Sequence, residues 1–88
     1  MPDVSVFTNS KYKVLNYFYE NKDKNNLVKT TQNEIGEILQ MNRTTVNYVI
    51  KELKKQCCII HDDSKVGRYY LTEIGIKTVE LFREVNKL

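Results

Sequence analysis

The sequence contains few of the residues on which enzyme active sites depend. Its 88 residues include one histidine, three glycines, one proline and no tryptophan. A single histidine in no catalytic setting argues against a Ser–His–Asp triad, and no glycine-rich phosphate loop is present. No pair of carboxylates lies in an apolar context either. The composition therefore predicts that the protein is not an enzyme.

The two cysteines are adjacent, at Cys57 and Cys58. A disulfide between neighbours closes no useful loop, and the CxxC spacing of metal sites is missing. With His61 as the only nearby histidine, neither a metal nor any other cofactor is expected. We interpret both thiols as buried and structural. The alternative is a redox sensor, which needs a thiol pKa lowered by Lys54, Lys55 or His61.

Long apolar segments are also missing. No apolar run approaches the ~18 residues that a membrane-spanning helix requires. The first ten residues have neither the basic nor the apolar region of a secretory signal. We expect no membrane partner, a cytoplasmic location and, at this length, one compact domain over residues 1–88.

The surplus of positive over negative charge is small, and it is localised. The formal net charge is +3, and residues 43–68 hold six basic and three acidic residues, which accounts for the whole surplus. Charge concentrated in one segment is typical of a surface that meets a polyanion.

The first third of the chain predicts one helix and one short strand. Residues 1–8 are interpreted as an N-terminal arm, and apolar spacing predicts a helix from about Ser10 to Glu20. A polar turn over 21–26 should end this helix. Leu27–Lys29 is short enough to pair as a single β-bridge strand.

Two further helices are marked by their capping residues. Thr31 and Glu34 form a capping box, which predicts a second helix ending near Leu39. Asn42 can cap a third helix that ends near residue 55 or 56, with an inward apolar stripe. That stripe consists of Val46, Val49, Ile50 and Leu53.

The remaining residues predict a β-hairpin and a last helix. Residues 57–60 and 68–71 are apolar or aromatic and flank a polar loop, which is typical of a hairpin. Thr72 can cap a helix that runs to Leu88. Two short helices around a tight turn, followed by a hairpin, form a helix-turn-helix with a wing.

At these residues the sequence resembles a known group of proteins. Thr31-x-x-x-Ile35-x-x-x-Leu39, with 42–46 and Ile50-x-x-Leu53, is similar to the helix-turn-helix of bacterial and archaeal winged-helix transcription regulators. Tyr-Leu-Thr-x-x-Gly at 70–75 resembles the junction after the wing in regulators of the MarR and PadR kind. The resemblance covers roughly residues 10–82. It implies an α+β, mostly α fold: a three-helix core, a hairpin wing and a C-terminal helix.

The predicted partner is double-stranded DNA, bound by helix 42–56 in the major groove and hairpin 58–71 as the wing. Arg43, Thr44 and Asn47 suit base edges on the helix face opposite the apolar stripe. Basic residues further along suit phosphates, as does the hydroxyl that caps the second helix. The predicted DNA-binding residues are Thr31, Arg43, Thr44, Asn47, Tyr48, Lys51, Lys55, Lys65 and Arg68.

Two other interpretations of this helix face stay open. A polar face can simply be solvated. The chain can also be a winged-helix module for protein–protein contact, or a component of a replication or mobile-element complex. Such a module should present apolar residues on this face, where only Tyr48 suits that role.

The last helix carries two apolar stripes. One stripe, formed by Ile76, Val79 and Phe82, can cover the domain. A second stripe with heptad-like spacing predicts a homodimer, with residues 1–8 as a further contributor, and hence a regulator, most simply a repressor, at a palindromic site. Alternatively, one wide stripe caps a small core. The predicted dimer residues are Ile74, Thr78, Leu81, Val85 and Leu88.

Overall fold

The chain, as a computed structural model, is described over residues 4–86, and its side chains over residues 10–85. This part of the chain forms four helices and a three-stranded sheet. The helices are α1 (Val4–Asn21), α2 (Gln32–Leu39), α3 (Arg43–Lys55) and α4 (Glu73–Asn86). The strands are β1 (Leu27–Lys29), β2 (Ile59–His61) and β3 (Arg68–Leu71). The predicted winged-helix fold, mostly helical with a small antiparallel sheet, is confirmed.

Helix α1 begins earlier than the sequence predicted. The backbone of residues 4–8 is helical, so most of the predicted arm belongs to α1, and residues 1–3 lie outside the described part. The capping candidates at 8–10 lie inside the helix. Such residues disfavour a helix interior only slightly, and neither glycine nor proline interrupts the chain between Val4 and Asn21.

The caps of the helix-turn-helix form as expected, with one difference. Thr31 Oγ1 accepts a hydrogen bond from Glu34 N at 3.1 Å, and Asn42 Oδ1 accepts one from Thr45 N at 2.8 Å. The Glu34 carboxylate does not complete the capping box. Its Oε2 instead lies 3.4 Å from the Thr30 hydroxyl, which places this carboxylate beside the preceding residue. Gln40 ends α2 in the left-handed conformation at φ 56°.

The sheet has the strand order β1-β3-β2, and both pairings are antiparallel. Val28 lies opposite Tyr69, and Lys29 lies opposite Arg68. The short segment at 27–29 is thus a full third strand, which joins the hairpin to the chain between α1 and α2.

The core lies between the four helices and one face of the sheet, and α2 contributes the fully buried Ile35. All four residues of the predicted α3 stripe are buried, and Phe18 of α1 packs against Tyr69 of β3 with ring centroids 5.4 Å apart. Val79 of α4 is fully buried, so the stripe to which it belongs covers the domain. The stripe of α3 therefore fixes which side of this helix faces outward.

A tight junction joins the end of α3 to the start of α4. The Thr72 hydroxyl lies 2.5 Å from Cys57 O and accepts a hydrogen bond from Gly75 N at 3.0 Å. Thr72 N donates to Cys58 O at 3.0 Å. The Leu-Thr-x-x-Gly sequence therefore forms the hydrogen-bonded junction at which the wing ends and α4 begins.

The two cysteines have different environments, so the expectation that both are buried is wrong for one of them. Cys58 is buried, with 3% of its surface exposed, whereas Cys57 is exposed at φ 62°. Cys57 follows the α3 cap, where a left-handed residue turns the chain back so that Cys58 N reaches Leu53 O at 2.9 Å. This turn directs the first side chain outward and the second one inward.

Candidate nucleic-acid interface

The outward face of α3 carries the residues that the sequence assigned to it. Arg43, Thr44, Lys51 and Lys55 are exposed, and Asn47 is half-buried. Tyr48 is 49% exposed. The helix thus presents hydrogen-bonding groups in its first two turns and amines further along.

The start of α3 adds to the positive character of this face. The first turn holds no acidic residue, and its free N–H groups make the start of a helix partly positive. Arg43 stands at this start, beside the Asn42 cap. An anion that approaches the beginning of α3 therefore meets a guanidinium and a helix N-terminus together.

The loop of the wing is organised by Asp62. Its Oδ1 accepts hydrogen bonds from Ser64 Oγ at 2.6 Å and from Ser64 N at 3.1 Å. These hydrogen bonds from Ser64 lower the pKa of the Asp62 carboxyl, so the carboxylate form is favoured. The turn presents Lys65 and Val66 outward, and Val66 at the tip is 94% exposed.

The wing is tied to the helices through Thr30 and Gly67. Thr30 N donates to Gly67 O at 3.0 Å, and the buried Thr30 hydroxyl lies 3.2 Å from Tyr17 Oη on α1. Gly67 has φ 76°, a backbone conformation that a side chain would strain. The base of the wing is therefore held at a fixed place beside the start of α2.

A groove of about 470 Å³ lies between the wing and the starts of α2 and α3, and we call it the basic groove because Arg43 and Lys65 line it against one carboxylate, that of Asp63. It brings together three of the residues predicted to bind DNA, namely Thr31, Arg43 and Lys65. Arg68 is not among its lining residues. Because neighbours on a strand point to opposite faces and Tyr69 faces the groove, Arg68 lies on the other face of the sheet.

Further groove residues had not been expected at the interface. Gln32, Asn33 and His61 line it, and His61 Nδ1 lies 3.0 Å from Asp63 Oδ1. The His61 ring stacks on Tyr69 at a centroid distance of 4.7 Å. The nearness of residues 32 and 33 to the Thr31 cap was the one sequence signal for them. Contact with the wing depends on the tertiary fold.

Within residues 4–86, no group of histidine, cysteine and carboxylate side chains is arranged to hold a metal ion. None of the helices in this range is long and apolar enough to cross a membrane.

Burial raises the pKa of the Cys58 thiol, which is opposite to the shift that a reactive thiolate requires.

The predicted dimer seam on α4 is exposed at three positions. Ile74, Leu81 and Val85 are 54%, 66% and 56% exposed. Thr78 is half-buried and lines a cavity of about 150 Å³ beside Cys58, so it faces the domain. Leu88 lies outside the described residues.

Contacts with α1 fix the orientation of α4. Arg83 Nη2 donates to Asn16 Oδ1 at 2.7 Å, and its guanidinium lies 4.5 Å from the Tyr19 ring centroid. Phe82 packs against Tyr12 at a centroid distance of 5.3 Å. The exposed seam is therefore held on the side of α4 that faces away from α1.

The fold is similar to solved structures of MepR from S. aureus. A MepR mutant from a multidrug resistant clinical isolate has 29% sequence identity and a TM-score of 0.74, over 90% of this chain and 56% of that chain. A MepR–DNA complex has 28% identity and a TM-score of 0.69, over 96% of this chain and 69% of that one. MepR bound to ethidium bromide gives 28% identity and a TM-score of 0.70, over 90% and 56%.

MepR is a winged-helix regulator of the MarR family, and these structures confirm the resemblance to MarR-like winged-helix regulators. The present chain spans little more than half the length of the first of these MepR chains. No protein-family model and no curated protein sequence matches the chain.

Proposed function

We propose that the chain is a sequence-specific DNA-binding transcription regulator that acts in the cytoplasm. The observation that carries this proposal is the basic groove, a concave surface that the starts of α2 and α3 line on one side and the wing lines on the other. The similarity to MepR, which has been solved in complex with DNA, supports it. Repression is the simplest mode of action, because a protein bound at a promoter excludes others from that site.

In this proposal α3 lies in the major groove, where an α-helix fits and its first residues reach base edges. Arg43 is suited to guanine, Asn47 to adenine and the Thr44 methyl to a thymine methyl. Lys51 and Lys55 contact phosphates further along the helix, and Tyr48 contacts a phosphate or a thymine methyl. All of these except Asn47, which is half-buried, are exposed.

The wing enters the adjacent minor groove. One DNA strand separates a major groove from its neighbouring minor groove, so this strand must cross between α3 and the wing. The basic groove of the protein lies at that place, with Arg43 on one side and Lys65 on the other. The Thr31 hydroxyl and the free N–H groups at the start of α2 can bind a phosphate of the crossing strand.

The protein-interaction alternative has less support from the same surface. An interaction module should expose several apolar residues on the outward face of α3. Tyr48 is the only large apolar residue that this face exposes among the described side chains. The neighbouring exposed groups are cations and amides, which suit nucleic acid.

The DNA-binding proposal is tested by fluorescence anisotropy with duplexes from the upstream region of the chain's own gene, titrated across salt. The logarithm of the association constant should fall linearly with the logarithm of the salt concentration, with a slope of about −0.9 for each phosphate contacted. Random duplexes of equal length serve as the control for sequence specificity. An affinity that does not fall with salt would contradict binding through a basic surface.

We further propose that the chain forms a homodimer through α4. Exposed Ile74, Leu81 and Val85 form a stripe that a single small domain has little reason to leave in water. A second copy of the stripe would cover it, as in other two-fold interfaces. Two recognition helices would then lie about one DNA turn apart, which favours a palindromic site.

Replacing Leu81 by glutamate is expected to convert the dimer to a monomer, since it places a charge in the centre of the covered stripe. Sedimentation at micromolar concentration measures the change, and the wild type should have the mass of two chains. Glu80→Gln, at the exposed neighbouring position, is the matched control and should stay dimeric. A wild-type chain that sediments as a monomer would contradict the proposal.

A further inference from the structure

Two cations lie side by side on the outer face of the sheet. Lys29 of β1 is directly opposite Arg68 of β3 in the antiparallel register. Directly opposite residues share a face, and their Cβ atoms are about 5 Å apart. Lys29 is exposed and Arg68 is half-buried, so both side chains reach solvent from the same patch.

This placement is unfavourable for the isolated chain, because like charges directly opposite each other destabilise a sheet. Among the described residues, neither cation forms an ion pair within 4.0 Å. Each cation has one carboxylate in its electrostatic surroundings, since Arg68 helps to lower the pKa of Asp62 and Lys29 that of Asp23. Both carboxylates already accept hydrogen bonds within their own turns, from Ser64 and from Asn25 and Leu27. An anion supplied from outside would relieve the repulsion.

The position of the pair identifies this anion. Lys29 immediately precedes Thr30, whose N–H is bonded to Gly67 at the base of the wing. The pair thus lies at the same level of the wing as the basic groove, but on the opposite face of the sheet. A minor groove is about 6 Å wide and has a phosphate strand along each side. A wing inserted there meets one strand with each face.

We propose that Lys29 and Arg68 hold the phosphate strand on the far side of the minor groove that the wing enters. This inference rests on the proposed DNA-binding function. The strand nearer α3 runs through the basic groove, and the pair binds the opposite strand. The two faces of the wing therefore contact the phosphate strands on the two sides of the minor groove, with the exposed Val66 tip between these strands.

The variants Lys29→Gln and Arg68→Gln test the inference in the salt-titration assay. For each chain that contacts the DNA, each variant should lower the magnitude of the log–log salt slope by about 0.9 and weaken binding about eightfold at 0.1 M salt. The loss should be equal for all sequences, because phosphates carry no sequence information. Thermal stability should stay unchanged or rise, because a repulsion is removed.

The matched control is Lys77→Gln, which removes an exposed amine on α4 that pairs with Glu73 at 3.3 Å. It should keep the wild-type slope. Duplexes with single neutral methylphosphonate linkages add a positional measurement. A neutral linkage at the phosphate that Lys29 contacts, on the far side of the minor groove, should weaken DNA binding by the wild type about eightfold. The same linkage should leave the affinity of the Lys29→Gln variant unchanged.

The outcomes separate this inference from the function on which it rests. If the wild type binds DNA with a steep salt slope and Lys29→Gln keeps that slope, the pair does not contact DNA. The inference then fails, the proposed function stands, and the pair belongs to another anion such as an acidic protein segment. If the wild type binds no DNA, both fail together.

Discussion

Replacing Gly75 by alanine is expected to lower the free energy of unfolding by about 3 kcal/mol. An added Cβ would overlap Cys58 O and would lie 2.7 Å from Leu71 Cδ1. Cys58 O is a backbone atom fixed by its hydrogen bond from Thr72 N, so it cannot move aside as a flexible side chain would. Helix α4 would have to shift away from the base of the wing.

Urea denaturation at one fixed protein concentration measures this loss. The matched control is Glu80→Ala, an exposed position on the same helix, which should change stability by less than about 0.5 kcal/mol. Equal stability of Gly75→Ala and the wild type would show that the junction can open at little cost. The close packing of α4 on the wing would then not be a fixed feature of the fold.

Neutralising Lys51 and Lys55 together is expected to weaken DNA binding about sixtyfold for each recognition helix at 0.1 M salt. Both amines are exposed on the outward face of α3. Each phosphate contact contributes about eightfold at this salt concentration, and the two effects multiply when the contacts are independent. The salt slope should fall in magnitude by about 1.8 for each chain.

The double variant Lys24→Gln with Lys77→Gln is the control for net charge, since it removes two positive charges from exposed sites outside the proposed interface. It should bind nearly as tightly as the wild type. If both double variants weaken binding equally, general attraction between the chain and DNA explains the effect. If the Lys51 and Lys55 variant binds normally, the outward face of α3 does not hold the DNA backbone.

The helix-turn-helix was predictable because its signals are local. Asn42 caps α3 through an atom three residues away, and the inward stripe from Val46 to Leu53 follows from helical periodicity. Both depend on neighbours in the chain, so they are visible before any folding is considered. The outward face of α3 follows from the inward one by geometry.

Other features were mispredicted because local signals are weak or compete. Residues 8–10 are good N-caps, yet they lie inside α1. An N-cap preference of this size does not fix the start of a helix when the preceding residues can also be helical. Cys57 and Cys58 are both apolar in type, but a left-handed turn exposes the first of them. Thr78 fits the heptad-like spacing and nevertheless faces the cavity beside Cys58.

The sequence by itself determined the order of elements, the inward and outward faces of α3, and the segment that holds all of the surplus charge. Each of these depends on spacing along the chain, which hydrogen bonding and periodicity convert directly into structure. Only the tertiary structure decided that Thr31, Arg43 and Lys65 line one groove. It alone decided that Lys29 stands opposite Arg68, because strand register brings together residues 39 positions apart. The composition thus supplied the residue types and the localised charge, and the packing of the wing on the helices placed them in the surfaces of the proposed function.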